Sequence, residues 1–393
     1  MYKNIYLKKG KEESLKRFHP WVFSGAIHHA DDGIQEGDIV RIMGADNQFI
    51  AVAHTQIGSI LGRVLSFHDI EINNAFWQER MAAAYKLRCD IGVVNPPYNT
   101  VFRLVHGEGD QLPGLVVDVY GKTAVMQAHS VGMHVNREEI ATAIMHVMDG
   151  VIDSIYYKSE TTLPFKAELG MENAFIRGGN AHDVATEYGL NFHIDWLKGQ
   201  KTGFFIDQRE NRSLLEKYSK GRNVLNMFCY TGGFSVYAMR GQAKLVHSVD
   251  SSAKAMEITD ANIALNFPGD NRHQSYAEDA FKFLEGMGSD YDLIVLDPPA
   301  FAKHKDALRN ALKGYTRLNA KAFEKIKPGG ILFTFSCSQA VNKDQFRLAV
   351  FTAAAQSGRH VRIMHQLHQP PDHPVNIYHP EGEYLKGFVL YVE

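Results

Sequence analysis

The chain has 393 residues, 45% of them hydrophobic and 22% charged, with a formal net charge of −2 at pH 7. That is material for two or three domains of ordinary globular composition, and it excludes a polycation, a low-complexity chain and a disulfide-stapled miniprotein. Three cysteines, Cys89, Cys229 and Cys337, lie far apart and form neither a CxxC pair nor a Cys/His ligand spacing, so reduced thiols and no metal centre are expected.

The basic first twenty residues are not followed by an apolar run long enough for a signal peptide. No window approaches the ~20 apolar residues of a membrane span. A cytoplasmic protein with no membrane partner is therefore expected. Charge is unevenly spread: residues 1–20 hold six Lys/Arg against two Glu, 97–190 six basic against twelve acidic, and 299–330 eight basic against two acidic. Two basic patches around an acidic middle suit a protein that meets a polyanion with selected surfaces.

In chain order, residues 1–72 carry short strand-like pieces ("DIVRIM", "FIAVAHT", "SILGRVLS") between Gly and Asp turns, the pattern of a small barrel-like β domain. Segment 73–97 has helical periodicity, ends in the break "NPPYNT" and reads as a connecting helix. Residues 98–190 predict an α+β domain, with a hairpin over "TVFRLVHGEGDQLPGLVVDVYG", strands at "TAVMQAHS", "SIYYKSE" and "NAFIRGG", and an amphipathic helix at "NREEIATAIMHVMDG". From 191 to 393 apolar strands alternate with helices, which predicts a mostly parallel, doubly covered Rossmann-like sheet. "HVRIMHQL" and "LKGFVLYVE" are expected to add an antiparallel edge hairpin. The fold class is a multidomain α/β protein.

The chemistry concentrates in the last domain. "VLNMFCYTGGFS" is a strand, a glycine turn and a helix start, where backbone can approach a ligand closely. Asp250 ends the next strand, placed to take the ribose hydroxyls of a nucleoside. Asp279 follows the next expected strand position and Asp297 ends the one after. The turn has neither GxGxxG spacing nor a P-loop GK[ST], so a nucleoside without a pyrophosphate fits, and S-adenosylmethionine is such a ligand.

In "LDPPAF", Pro298 and Pro299 stiffen the strand exit beside Asp297, and Phe301 offers a ring for a flipped base. Cys337, in "FTFSCSQ", sits at the open end of a strand. A thiolate there can add to carbon 6 of a pyrimidine and make carbon 5 nucleophilic towards a methyl donor. The basic segment Lys303–Lys327 is expected to lower the thiol pKa. Within it Arg309, Lys313, Arg317, Lys321 and Lys325 recur every four residues as a cationic stripe suited to a phosphate backbone. Cys229 reads as structural and Cys89 as structural or incidental.

Together these stretches resemble a known family. "RFHPWVFSGAI" is similar to the PUA type of RNA-binding domain. "KTGFFIDQRENR", "NMFCYTGGFSVYA", "SVDSS", "LDPPAF", "FTFSCS" and "DHPVNIYHPEGEYLKGF" match, in order, the bacterial 23S rRNA large-subunit methyltransferase I type. The resemblance implies an N-terminal PUA-like RNA-binding domain, a central α+β domain and a C-terminal class I methyltransferase domain that makes 5-methylcytosine. It implies Cys337 and Asp297 as catalytic residues. Phe228, Tyr230, Thr231, Gly232, Gly233, Asp250, Asp279, Asp297, Asp207, Gln208 and Arg209 would face S-adenosylmethionine. Pro298, Pro299, Phe301, Lys303, Arg309, Lys313, Arg317, Lys9, Lys16 and Arg17 would face RNA. The partner would be 23S rRNA or the large ribosomal subunit, with a homodimer left open.

"DPPAFAK" lacks the second cysteine that many RNA cytosine-C5 methyltransferases use for product release, and His373 and Glu383 stand only as guesses for the base. Two other readings stay open: nitrogen methylation of an RNA base without a covalent adduct, and a non-catalytic RNA-binding ribosome-assembly protein.

Overall fold

The computed structural model describes residues 2–164, 169, 172–180, 183–302 and 304–393. It holds two compact units: Met1–Gly189 with Ile194–Ile206 and Pro371–Gly382, and Leu190–His193 with Asp207–Pro370 and Glu383–Glu393.

The first unit begins with six short strands in one sheet, among them Lys3–Leu7, Trp21–Phe23 and Phe49–Thr55. Alternate residues Ile5 and Leu7, Val40 and Ile42, and Ala51 and Ala53 fill its core, as period-two patterning requires. Helix Asn74–Asp90 follows, capped by the Asn73 side chain, which accepts from Phe76 N at 3.2 Å. It turns Phe76, Trp77, Met81 and Ala84 into a second core. That core also takes the inner residues of a five-stranded sheet, which includes Val101–His106, Leu115–Tyr120 and Thr123–Ala128.

The second unit is a seven-stranded sheet: β1 (Asn223–Met227), β2 (Leu245–Asp250), β3 (His273–Ala277), β4 (Leu293–Leu296), β5 (Gly330–Ser336), β6 (Val361–Leu367) and β7 (Lys386–Val392). The spatial order is β3-β2-β1-β4-β5-β7-β6, all parallel except β7, which is antiparallel to both neighbours. Every residue of β4 and β5 is buried, which is why both read as unbroken apolar runs. The last two strands do pair, but β7 takes the slot beside β5 and β6 alone forms the edge. The reason is compositional, since all of β7 except Tyr391 is buried, whereas β6 exposes Arg362, Ile363, Met364 and Gln366.

Among the described residues six α-helices accompany the sheet: α1 (Arg209–Ser219), α2 (Gly233–Arg240), α3 (Ala253–Asn266), α4 (Ala280–Gly286), α5 (Leu308–Lys325) and α6 (Lys343–Ser357). The carboxyl ends of the parallel strands, where open α/β sheets take their ligands, gather the residues described next.

Candidate functional site

The turn after β1 is held in a conformation few residues adopt readily. Phe228, Tyr230 and Gly232 have φ of 57°, 48° and 77°. Gly232 is needed twice over, because its φ is left-handed and a Cβ there would stand 2.5 Å from Thr259 Cγ2 on α3. The next strand fixes the turn from the side: Asp250 Oδ2 accepts from Tyr230 N at 3.0 Å and its Oδ1 from Ser252 N at 3.0 Å. Each oxygen keeps lone-pair capacity on a half-buried carboxylate. Thr231 is buried, its carbonyl accepting from Asn262 Nδ2 at 2.9 Å. Gly233 opens α2 against Arg212, which a Cβ would approach to 3.1 Å.

Asp297 closes β4 and Cys337 closes the adjacent parallel strand β5. Gln208 Nε2 donates to Asp297 Oδ2 at 3.0 Å, and Gln208 is itself held by Asn211 Nδ2 at 2.6 Å. Beside them Asp207 Oδ2 accepts from the Tyr384 hydroxyl at 2.7 Å, while its buried Oδ1 has no hydrogen-bond partner among the described residues. Burial, reinforced by the charge of Asp207, pushes the Asp297 carboxyl up to about 7 against the pull of Gln208 and Arg212.

Burial first, then the charges of Asp297 and Asp207, pushes the Cys337 thiol up to about 12. Among the described residues the cation that favours the thiolate is not one of the Lys303–Lys327 segment, as expected, but Lys386, the first residue of β7. Lys386 is 6% exposed, donates to the Ser338 carbonyl at 2.8 Å, and is itself drawn down to about 8, chiefly by burial. The serines flanking Cys337 are explained by Tyr315 of α5. Its hydroxyl meets Ser336 Oγ and Ser338 Oγ, each at 2.9 Å, and pins the strand end on both sides of the thiol. Phe301 lies on the Tyr315 ring at 4.7 Å, so one of its faces is already taken.

Asp279 is exposed and caps α4, accepting from Lys282 N at 3.0 Å. Pro298 is buried and Pro299 exposed. Arg209 is buried beside Glu210. Arg309, Lys313 and Arg317 line a groove of about 700 Å³ on α4, α5 and α6 whose lining includes neither Cys337 nor Asp297. Arg317 there pairs with Glu285 at 3.1 Å. Lys9, Lys16 and Arg17 are exposed on the first unit, and Lys303 lies outside the described residues. Glu383 is exposed and paired with Lys343 at 2.9 Å. His373 belongs to the first unit, its Nδ1 3.1 Å from Asp372 Oδ1. Lys386, Tyr384 and Tyr315 were not singled out from the sequence. Tyr384 and Lys386 do lie in the quoted stretch "DHPVNIYHPEGEYLKGF", and a lysine opening the apolar run "KGFVLYV" is a further signal for the second.

Residues 176–382 match the family model of the S-adenosylmethionine-dependent methyltransferases, and residues 5–67 that of the PUA-like domain. A ribosomal RNA large subunit methyltransferase I from Aeromonas hydrophila is 38% identical, with 99% of each chain covered. Its namesake from Pseudoalteromonas translucida is 37% identical, again over 99% of each. The chain belongs to the ribosomal RNA large subunit methyltransferase I family. Its cofactor is accordingly S-adenosylmethionine. Among solved structures, an S-adenosylmethionine-dependent methyltransferase from Streptococcus mutans shares the fold of this family member with a TM-score of 0.84 at 22% identity, covering 99% of this chain and all of its own. The residues present fit that cofactor: the chain offers a half-buried carboxylate at the end of β2 and a buried, unsatisfied Asp207 oxygen that suits a cationic amino group.

Proposed function

We propose that this chain methylates carbon 5 of a cytidine in 23S rRNA through a covalent adduct between Cys337 and carbon 6. The observation that carries this reading is the placing of Asp297 and Cys337 at the ends of adjacent parallel strands, where the Asp297 charge bears on the Cys337 thiol. S-adenosylmethionine supplies an electrophilic methyl group when bound. Phe228, Tyr230, Gly232 and Asp250 would hold its nucleoside end and Asp207 its amino group.

Near neutral pH a carboxyl poised at about 7 is present in both forms. The protonated Asp297 donates to the ring nitrogen of a flipped cytosine, so charge that builds on the ring during attack has a place to go. In that form it also ceases to oppose the thiolate. As the Cys337 sulfur bonds to carbon 6, the carbon 5–carbon 6 double bond opens and carbon 5 becomes the nucleophile. After methyl transfer, with the donor leaving as its neutral thioether, the carbon 5 proton passes to a base or solvent, the carbon–sulfur bond breaks to release the thiolate, and the ring nitrogen returns its proton to Asp297 as the aromatic ring is restored.

Incubation with RNA carrying 5-fluorocytidine at the target should stall this sequence as a stable protein–RNA adduct, because fluorine cannot leave as a proton does. Replacement of Cys337 by Ala should remove both adduct and methylation while leaving cofactor affinity unchanged. A second reading, methylation of a ring or exocyclic nitrogen without an adduct, draws support from the thiol held near 12 in the free protein. It predicts methylation by the Cys337→Ala variant and no trapped species.

A further inference from the structure

The first unit carries an aromatic surface that the strand-end chemistry does not use. Phe18 is 47% exposed, Phe23 43% and Tyr378 50%. Phe18 packs edge-on against Phe67 at 5.2 Å and tilted on Tyr378 at 5.3 Å, so two chain segments far apart in sequence share one patch. Behind it, Trp21 stands between Phe23 at 6.3 Å and the buried His379 at 4.4 Å, and is locked by its Nε1 donating to Glu108 Oε1 at 2.8 Å. Beside it lies a groove of about 330 Å³, lined by Lys11, Trp21 and Phe23 among others.

Two features speak against a casual hydrophobic exposure. Phe18 follows the short helix Glu13–Lys16 with a φ of 63°, a position that favours glycine and that costs a bulky side chain strain. The same stretch is strongly cationic: Lys8, Lys9, Lys11, Lys16 and Arg17 are all exposed. Rings held outward among cations match the two parts of a single-stranded nucleic acid, flat bases and charged phosphates.

We propose that Phe18, Phe23 and Tyr378 form a stacking platform for unpaired bases of the RNA, with Lys11, Lys16 and Arg17 taking the adjoining phosphates. The proposal rests on the RNA-substrate reading above and extends it, placing on the first unit a surface that selects unpaired RNA. Glu108 is engaged by Trp21, and Glu381 lies between His19 at 3.7 Å and His379 at 3.8 Å, so these two carboxylates are turned to neighbouring rings.

The test is fluorescence anisotropy of the full chain, without cofactor, against three labelled probes: a single-stranded RNA decamer, an abasic ribose-phosphate chain of equal length, and an RNA duplex. The wild-type protein should bind the single strand at least tenfold more tightly than the abasic chain. Phe18→Leu and Tyr378→Leu should each weaken single-strand binding about tenfold and leave the abasic chain unaffected, the size expected for one lost stack. Lys11→Gln should weaken both probes equally and reduce the salt slope by about one. Equal binding of single strand, abasic chain and duplex, or no effect of the ring variants, overturns the platform. So does a concentration-dependent rise in mass that the ring variants abolish, which would make the patch a self-association face. Methylation of rRNA by the same wild-type preparation separates the two claims: activity with ring-independent binding sinks the platform alone, and neither methylation nor binding sinks the RNA reading as well.

Discussion

Asp297 and Lys386 are opposite perturbations of one small site, and each has a pH signature. The folded chain holds the Asp297 proton up to about 7, whereas an unfolded carboxyl releases it near 4. The associated stability is fully present below about pH 4 and is lost as pH rises through 7, where burying the carboxylate becomes a cost. Asp297→Asn, which keeps an acceptor for Gln208, should therefore raise the melting temperature at pH 8, with the gain fading towards pH 4. Methylation should fall by about a hundredfold or more, the usual size for a lost acid–base group. A melting temperature that drops at pH 8 would show that the carboxylate is not held at a cost. Lys386 runs the other way, because the folded chain gives up its proton near 8 rather than near 10.5. Its stabilising share is present above about 10.5 and is lost as pH falls through 8. Lys386→Met should slow alkylation of Cys337 at pH 7.5, because the thiolate loses a cation that favours it. Peptide-level mass spectrometry keeps Cys89 and Cys229 out of that measurement, and equal rates would remove Lys386 from the thiol's chemistry.

At the scale of elements, the end of β5 depends on α5 through a single hydroxyl. Tyr315→Phe leaves the buried Ser336 and Ser338 hydroxyls without their shared partner, so it should cost about 1–3 kcal/mol in urea unfolding and lower kcat more than it raises KM. An unchanged midpoint would mean that the serines find other partners at no cost. This dependence shows how much of the site the sequence could disclose. Asp250, Asp297 and Cys337 were legible because each closes an apolar strand, and strand ends are visible as the place where hydrophobic residues stop. Tyr315 was not, because nothing in a helix sequence says which hydroxyl will face a neighbouring strand. Helix α1 went unpredicted for a related reason: its buried face carries Arg209, Asn211, Arg212 and Ser219 beside Leu215, so few apolar residues mark the side that packs. Helix α6 did carry signals, since Asn342 and Gln345 form a reciprocal capping box and Gly358 ends it with a φ of 67°. Its apolar residues are spread around the helix, with Leu348 and Phe351 exposed, and that spread hides the face that packs.

On the scale of the whole molecule, the chain passes between its two units five times, at 189/190, 193/194, 206/207, 370/371 and 382/383. The last excursion, Pro371–Gly382, is tied into the first unit by buried charge. Arg88 forks onto Asp110 and also donates to the Asp372 carbonyl at 2.7 Å. The Asp372 carboxylate accepts from Arg103 N at 3.0 Å, and Arg103 pairs with Asp118 at 2.8 Å. Arg88, Asp118 and Asp372 are fully buried, so each charge is tolerable only while its partners remain. Removing the guanidinium strands the Asp110 carboxylate and releases the returning segment together. Arg88→Met should therefore destabilise the protein by about 3–5 kcal/mol. It should also open Pro371–Gly382 to limited proteolysis before the rest of the chain unfolds. Adding Asp110→Asn should recover part of the stability but not the protease resistance, because the neutral pair still lacks the donor to the Asp372 carbonyl. If both properties return together, the segment is held by the removal of repulsion rather than by the arginine. For the same reason a fragment ending at Gly189 should expose hydrophobic surface and lose cooperative unfolding: it lacks the segment on which its buried charges close.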